Sequence, residues 1–265
     1  CNNLEKQGFD ITYLPTDKYG MVSTEDVISA IRENTILVSV IYANNELGSI
    51  NPIQEIGEAI KKYKGKNSQF PLFHTDAVQA ATYLDLNVDK LGVDLMSISA
   101  HKFNGPKGIG ALYMKNGIPF EPLITGGGQE RQKRSGTENI AFISGSAEAI
   151  RLAEEEKLKL NKKIMTLKNK ITDHMINKHK DIVINGHPAK SLPNIINLTI
   201  PDVRADDLIS ALDLEDICIS NGSACTSNSL EPSHVLKSIG MDANLALNTI
   251  RISLGRNNTE SEIIH

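Results

Sequence analysis

Apolar positions along this chain follow two alternating rhythms: short β-branched runs, and segments with the three-to-four-residue spacing of a helix face. The run 36–42 reads as a strand buried on both faces, because polar residues scarcely interrupt it. Segments 71–75, 95–98 and 109–114 read as further strands, with a short helix after 71–75. Ser23 is an N-cap for a helix to about residue 33, with Val27, Ile28 and Ile31 on one face. Asn51 and Pro52 open another, in which Ile53, Ile56 and Ile60 recur up to Gly65. Residues 1–9 read as the last turns of a helix closed by Gly8, followed by a strand at 10–14. This alternation predicts crossover units and a mainly parallel sheet, the α/β class.

The pattern changes after Met114. GGGQERQKRSGTEN is poor core material and reads as a loop. From Asn139, a good N-cap, helical spacing runs to about residue 178, with a highly charged middle at 151–163. That segment reads as a bridge between two units, or as a solvated helix face, or both. Short strands follow at 182–184, 195–200, 217–220 and 249–254, alternating with helices near 204–212 and 232–239, a second and smaller α+β unit. The expected division is 1–145 for a large, N-terminally incomplete domain and 146–265 for the bridging helix and small domain. There is no repeat of fixed period and no low-complexity tract.

Composition narrows the function classes. At 265 residues, 40% hydrophobic and 23% charged, the chain can bury a sizeable core. A net charge of −4 without a basic block argues against nucleic acid as a partner. No apolar run approaches the ~20 residues that cross a bilayer, so no membrane association is expected. No secretory segment opens the chain, and it begins without methionine, which suggests processing or a fragment. Three cysteines, Cys1, Cys218 and Cys225, suit reduced thiols in a cytosol-like compartment. Cys218, between Ile217 and Ile219, reads as a buried inert thiol. CxxC and HExxH spacings are absent, so no metal site is expected.

The chemistry concentrates at 94–114, where a strand, a polar loop and a second strand succeed one another. Lys102 stands in that loop beside Ser99 and His101 and before Gly105 and Pro106. Open α/β sheets place ligands at the carboxyl ends of such strands. An amine there becomes a nucleophile toward an aldehyde once its surroundings favour the neutral form, and pyridoxal phosphate supplies such an aldehyde. Ser99 and His101 suit its phosphate. Asp76 and Gln79, after the strand 71–75, suit its ring nitrogen and its phenolic oxygen. An arbitrary lysine is more often a solvated surface residue, and Asp76 taken alone is as good an N-cap as a cofactor ligand. His74 reads as structural. Asn44 and Asn45, after the strand 36–42, can cap a helix or bind a ligand.

ANNE, HTDAVQ, SAHKFNGPKGIGALY, GGGQERQKRSGTEN, SNGSACTS and IRISLGR occur in an order and approximate spacing that resemble the cysteine desulfurases of the NifS/IscS type. Those are pyridoxal phosphate enzymes of aminotransferase class V, and the resemblance covers essentially all 265 residues. It implies fold type I of the pyridoxal-phosphate-dependent transferases, aspartate aminotransferase-like, with helices on both faces of a mainly parallel sheet and a small C-terminal domain carrying a cysteine loop. By the same resemblance, Lys102 is the lysine that binds the cofactor covalently, Asp76 the partner of its ring nitrogen, and Gln79 and Asn45 the groups about its phenolic oxygen. Ser99 and His101 would be phosphate ligands, and Thr137 would reach the phosphate in the neighbouring subunit of a homodimer. Arg251 would pair bidentately with the substrate carboxylate, a task its planar fork suits.

Cys225 resembles the nucleophile that takes sulfur from L-cysteine as a persulfide and releases L-alanine. Its small polar neighbours, Asn221 to Asn228, resemble the branch with a long mobile cysteine loop. The implied setting is cytoplasmic sulfur supply to an iron–sulfur scaffold, a tRNA thiolation protein or another acceptor. Alternative readings are a selenocysteine lyase, an aminotransferase, or a catalytically inactive fragment that binds a sulfur-acceptor protein. The family's N-terminal portion and closing helices are expected to lie outside this chain.

Overall fold

The computed structural model describes residues 1–65, 68–222 and 232–264. The chain opens with a single turn, α1 (Asn2–Glu5), and an extended segment that joins no sheet among the described residues, so the expected strand at 10–14 is absent. Helix α2 (Thr24–Ala30) begins where Ser23 Oγ accepts from the Asp26 amide at 3.0 Å, and it ends earlier than its apolar spacing suggests. Strands β1 (Leu37–Ile41), β2 (Leu72–Asp76) and β3 (Leu95–Ser99) pair in parallel, and β4 (Gly110–Met114) closes the sheet antiparallel to β3. Helix α3 (Ile53–Lys64) crosses from β1 to β2, and α4 (Val88–Leu91) precedes β3. Residues 78–83 are turns, not the short helix expected there.

Strand alternation decides which face is covered. Val38, Val40, Phe73, Met96 and Ile98 pack against Val27 of α2 and Ile53, Ile56 and Ile60 of α3. The opposite face carries Leu37, Ser39, His74 and Ser97. There the His74 imidazole joins three strands, with Nδ1 2.8 Å from Ser39 Oγ and Nε2 2.9 Å from Ser97 Oγ. Burial lowers the pKa of His74, partly offset by the Asp76 charge. β1 is therefore not buried on both faces: it is an edge strand, and Leu37 is 47% exposed.

At the amino end of β3, Asp94 is a buried hub. Its Oδ2 accepts from Lys64 Nζ at 2.8 Å and from the Phe73 amide at 3.0 Å, which ties the last turn of α3 to the sheet. Gly57 lets α3 and α4 touch: a β-carbon there would lie 2.2 Å from the Leu91 carbonyl oxygen.

A loop containing the short α5 (Gln129–Gln132) leads to α6 (Ile140–Lys178), 39 residues long, with Asn139 Oδ1 accepting from the Phe142 amide at 3.1 Å. Beyond it, β5 (Val183–Asn185), β6 (Ile195–Thr199) and β7 (Thr249–Ser253) form an antiparallel sheet. Its apolar face, Ile196, Leu198, Ile250 and Ile252, packs on Leu160, Ile164 and Leu167 of α6. The other face is polar, carrying Asn185, Asn197, Thr199, Thr249 and Arg251. Helices α7 (Ala205–Asp213), α8 (His234–Ser238), α9 (Ala243–Ala246) and α10 (Glu260–Ile264) complete this part. The strand expected at 217–220 reduces to one bridge, Ser220 with Arg251. Cys218 is accordingly exposed and not the buried thiol its apolar neighbours suggest.

Candidate active site

Parallel strands bring their carboxyl ends to one edge of the sheet. The register pairs Ile41 with Asp76 and Asp76 with Ser97, so the segments after β1, β2 and β3 emerge side by side. The first delivers Asn45, the second Asp76 and Gln79, the third Ser99, His101 and Lys102.

The third segment shows how local sequence aims its side chains. Ala100–Phe103 form a 3-10 turn, in which residues three apart lie above one another. Ala100 and Phe103 are both buried, packed with Ala81 and with Ala153 of α6. The two residues between them, His101 and Lys102, are left exposed. Ser99 Oγ lies 2.8 Å from His101 Nδ1, and the turn closes through the Gly105 amide on the Ala100 carbonyl at 2.8 Å. Thr82 Oγ1 donates to the Lys102 carbonyl at 3.1 Å and so holds this backbone from the segment that follows Gln79.

Asp76 and Gln79 are half-buried. Asp76 Oδ1 accepts from the Val78 amide at 2.9 Å, so this carboxylate does cap the turn after β2 while standing at the strand end. Nearby, burial and the Asp85 charge raise the pKa of Tyr42 and keep it a neutral phenol. In the segment after β1, Asn44 Oδ1 accepts from the Glu46 and Leu47 amides at 2.8 and 2.9 Å and shapes a tight turn.

Arg251 lies on the polar face of β7, and its Nη1 donates to the Asn45 carbonyl at 3.0 Å. A guanidinium from the second sheet is thereby held against the edge of the first. Asn197, its cross-strand neighbour on β6, donates from Nδ2 to the Glu46 carbonyl at 3.3 Å.

Thr137 stands exposed in the loop between α5 and α6. That loop is shaped by Ser135, whose Oγ donates to the Gly127 carbonyl at 2.6 Å, and by left-handed dihedrals at Glu130, Arg131 and Gln132. Among the described residues, no hydrogen bond joins Thr137 to Asp76, Ser99 or Lys102. Cys225, with Ser223, Ala224 and Thr226, lies outside the described residues.

The structure thus gathers Asn45, Asp76, Gln79, Ser99, His101 and Lys102 at one sheet edge and brings Arg251 to Asn45. Chemically the set offers an amine that can add to a carbonyl, a carboxylate for a ring nitrogen, and a hydroxyl–imidazole pair for an anion. Sequence reasoning overlooked Thr82, Asn197 and Glu46. For Glu46 a signal existed, its place directly after Asn44 and Asn45. The other two have none, because their partners lie 20 and 151 residues away.

The family model for class-V aminotransferases matches residues 1–265. The chain is 45% identical over 263 residues to a Methanosarcina thermophila protein named cysteine desulfurase IscS, covering 99% of this chain and 63% of that relative's length. Among solved structures, a NifS-like protein superposes with a TM-score of 0.89 at 38% identity, covering 99% of this chain and 67% of that one. Another, described as SspA in complex with cysteine, superposes with a TM-score of 0.78 at 36% identity, covering 96% and 69%.

Proposed function

Because the chain belongs to the class-V aminotransferase family and has fold type I of the pyridoxal-phosphate-dependent transferases, we propose that it is the larger part of a cysteine desulfurase. The reaction is L-cysteine plus an enzyme thiol giving L-alanine plus an enzyme persulfide. The observation that carries the reading is the convergence of Asp76, the Ser99–His101 pair and Lys102 on adjacent strand ends, with Arg251 held to Asn45 beside them.

This donor set fits pyridoxal phosphate. Lys102 Nζ would bind it covalently, Asp76 would pair with its ring nitrogen, Gln79 and Asn45 would flank its phenolic oxygen, and Ser99 and His101 would take its phosphate. Bound there, the cofactor supplies an electron sink for the pair left when Cα loses its proton. Arg251 orients the substrate by its carboxylate. Lys102 Nζ would move the proton at the substrate Cα, with His101 in the same turn. The Cys225 thiolate attacks the substrate sulfur: an S–S bond forms, the Cβ–S bond breaks, and its electron pair leaves with the carbon, which is protonated to alanine.

Sulfur would then pass from Cys225 to an acceptor such as an iron–sulfur scaffold, in a reducing, cytoplasm-like compartment where that thiol stays free. The site would be completed in a homodimer, with Thr137 reaching the neighbouring phosphate. Supporting this, the residues around the Thr137 loop expose apolar surface: Leu123 is 99%, Ile140 74% and Ile124 50% exposed. Of the chain itself, residues 1–145 would be the cofactor-binding part and 146–265 the part carrying the cysteine.

The test is the absorbance of the purified protein with added pyridoxal phosphate, before and after L-cysteine. A visible band that shifts with L-cysteine and is absent in Lys102→Ala is expected. Cys225→Ser should keep the band and lose persulfide and alanine formation; normal turnover in that variant would overturn the assignment.

A further inference from the structure

Two successive carbonyls of the turn after β1 are taken by two side chains that are direct neighbours on the second sheet. Arg251 Nη1 donates to the Asn45 carbonyl at 3.0 Å, and Asn197 Nδ2 donates to the Glu46 carbonyl at 3.3 Å. Asn185, Asn197 and Arg251 form one row across β5, β6 and β7. The turn is stiff within itself: the Gly48 amide bonds the Asn44 carbonyl at 3.0 Å, and Asn44 Oδ1 takes the Glu46 and Leu47 amides. Its placement against the guanidinium is set from outside, and beside Arg251 it is Asn197, 1% exposed, that reaches it.

The Asn197 amide is oriented by a chain of hydrogen bonds whose polarity is fixed at its ends. Thr249 Oγ1 donates its one proton to the Leu245 carbonyl at 2.8 Å, so in the 2.8 Å contact between Thr199 and Thr249 the Thr199 hydroxyl is the donor. Thr199 Oγ1 then accepts from Asn185 Nδ2 at 2.8 Å, and the second proton of that amide goes to Asn197 Oδ1, also at 2.8 Å. With its oxygen held by Asn185, Asn197 presents Nδ2 to the Glu46 carbonyl. An amide turned the other way would set oxygen against oxygen and leave polar atoms unpaired in a buried place.

Resting on the desulfurase reading above, we propose that Asn197 is a positioning residue for recognition of the substrate carboxylate: oriented by Asn185, it fixes the turn whose Asn45 carbonyl holds the Arg251 guanidinium. Asn197 itself does not touch the substrate. The carboxylate is bound alike before and during the chemical step, so losing this anchor weakens binding without slowing bound substrate. KM rises and kcat stays nearly unchanged.

The experiment compares wild type with Asn197→Leu, Asn185→Asp and Thr249→Val. Asn197→Leu keeps the shape and loses the donor. In Asn185→Asp the Asn197 amide turns over to donate to the new carboxylate, so its oxygen faces the Glu46 carbonyl. Asn185 is half-buried and does not touch the turn, so this variant carries the test by itself where the fully buried Asn197→Leu fails to fold. Thr249→Val removes a buried hydroxyl from the same sheet but leaves Asn185 on Asn197, and so measures what destabilisation alone does. The readouts are the kinetics of alanine formation from L-cysteine, titration of the cofactor band with L-alanine and with ethylamine, its counterpart without a carboxylate, and hydrogen exchange over 44–48, which needs no cofactor. Asn197→Leu and Asn185→Asp should raise KM and the half-saturating L-alanine concentration roughly tenfold, with kcat and the ethylamine titration near wild type and exchange at 44–48 several-fold faster. Thr249→Val should keep the wild-type KM. A fall in kcat at constant KM, equal weakening toward L-alanine and ethylamine, or a KM as high in Thr249→Val would each overturn the proposal. A wild-type protein that shows no band or makes no alanine would defeat the desulfurase reading instead, and exchange at 44–48 would still decide whether Asn197 anchors the turn.

Discussion

Lys168 places an ammonium against the chain at 191–192, where its Nζ donates to Ser191 Oγ at 3.1 Å and to the Leu192 carbonyl at 2.9 Å. Burial pushes its pKa from 10.5 down to about 8. Between those two values the unfolded chain holds this proton and the folded one releases it, so folding gains stability as pH rises through the window. Below about 8 both states are protonated and the full cost of the buried cation is present. The difference in unfolding free energy between wild type and Lys168→Met should therefore shift toward wild type by on the order of 2 kcal/mol from pH 7.5 to 10.5. Urea titrations across that range check it, and a flat difference would show that the ammonium is well hydrated. No sequence pattern marks Lys168, one of several lysines on a charged helix. Ser23 and Asn139, by contrast, were legible as N-caps, because a cap acts on amides two or three residues away.

Elements were legible to the extent that their neighbours in sequence are their neighbours in space. Helix α3 shows its apolar stripe in Ile53, Ile56 and Ile60, and ends at Gly65 as its spacing predicts. Other segments were decided by partners. The residues at 10–14 and 217–220 have strand-like composition but no ladder to join among the described residues, so the first enters no sheet and the second forms a single bridge. The exposure of β1 is not predictable from its composition, because a β-branched run does not reveal whether it lies at a sheet edge. Gly57 is the opposite case, a residue whose importance comes from another helix. Although alanine is the better helix former by about 1 kcal/mol, Gly57→Ala should destabilise the fold by ~1–3 kcal/mol, because its β-carbon would meet backbone of α4. Chemical denaturation measures this; an unchanged or raised midpoint would mean that α3 and α4 separate freely.

At the scale of the whole molecule, the exposed apolar residues about the Thr137 loop tie the proposed homodimer to the completeness of the site. Replacing Leu123 and Ile140 together by Glu should move the protein from dimer to monomer in sedimentation and weaken pyridoxal phosphate binding in step. A variant that stays dimeric with normal cofactor affinity would place the interface elsewhere. Of the proposed site residues, the lysine after a strand and the carboxylate after its neighbour stand out in the sequence as residue types in short patterns, whereas the arginine near the end is suggested only by the resemblance. Their convergence could not be read that way. Asp76 is set beside the strand that leads to Lys102 only through parallel register, and Arg251 reaches Asn45 across 206 residues. Such contacts form because α6 packs at once on the apolar face of the second sheet and on the turn that follows β3, and local patterning carries no record of distances that packing alone sets.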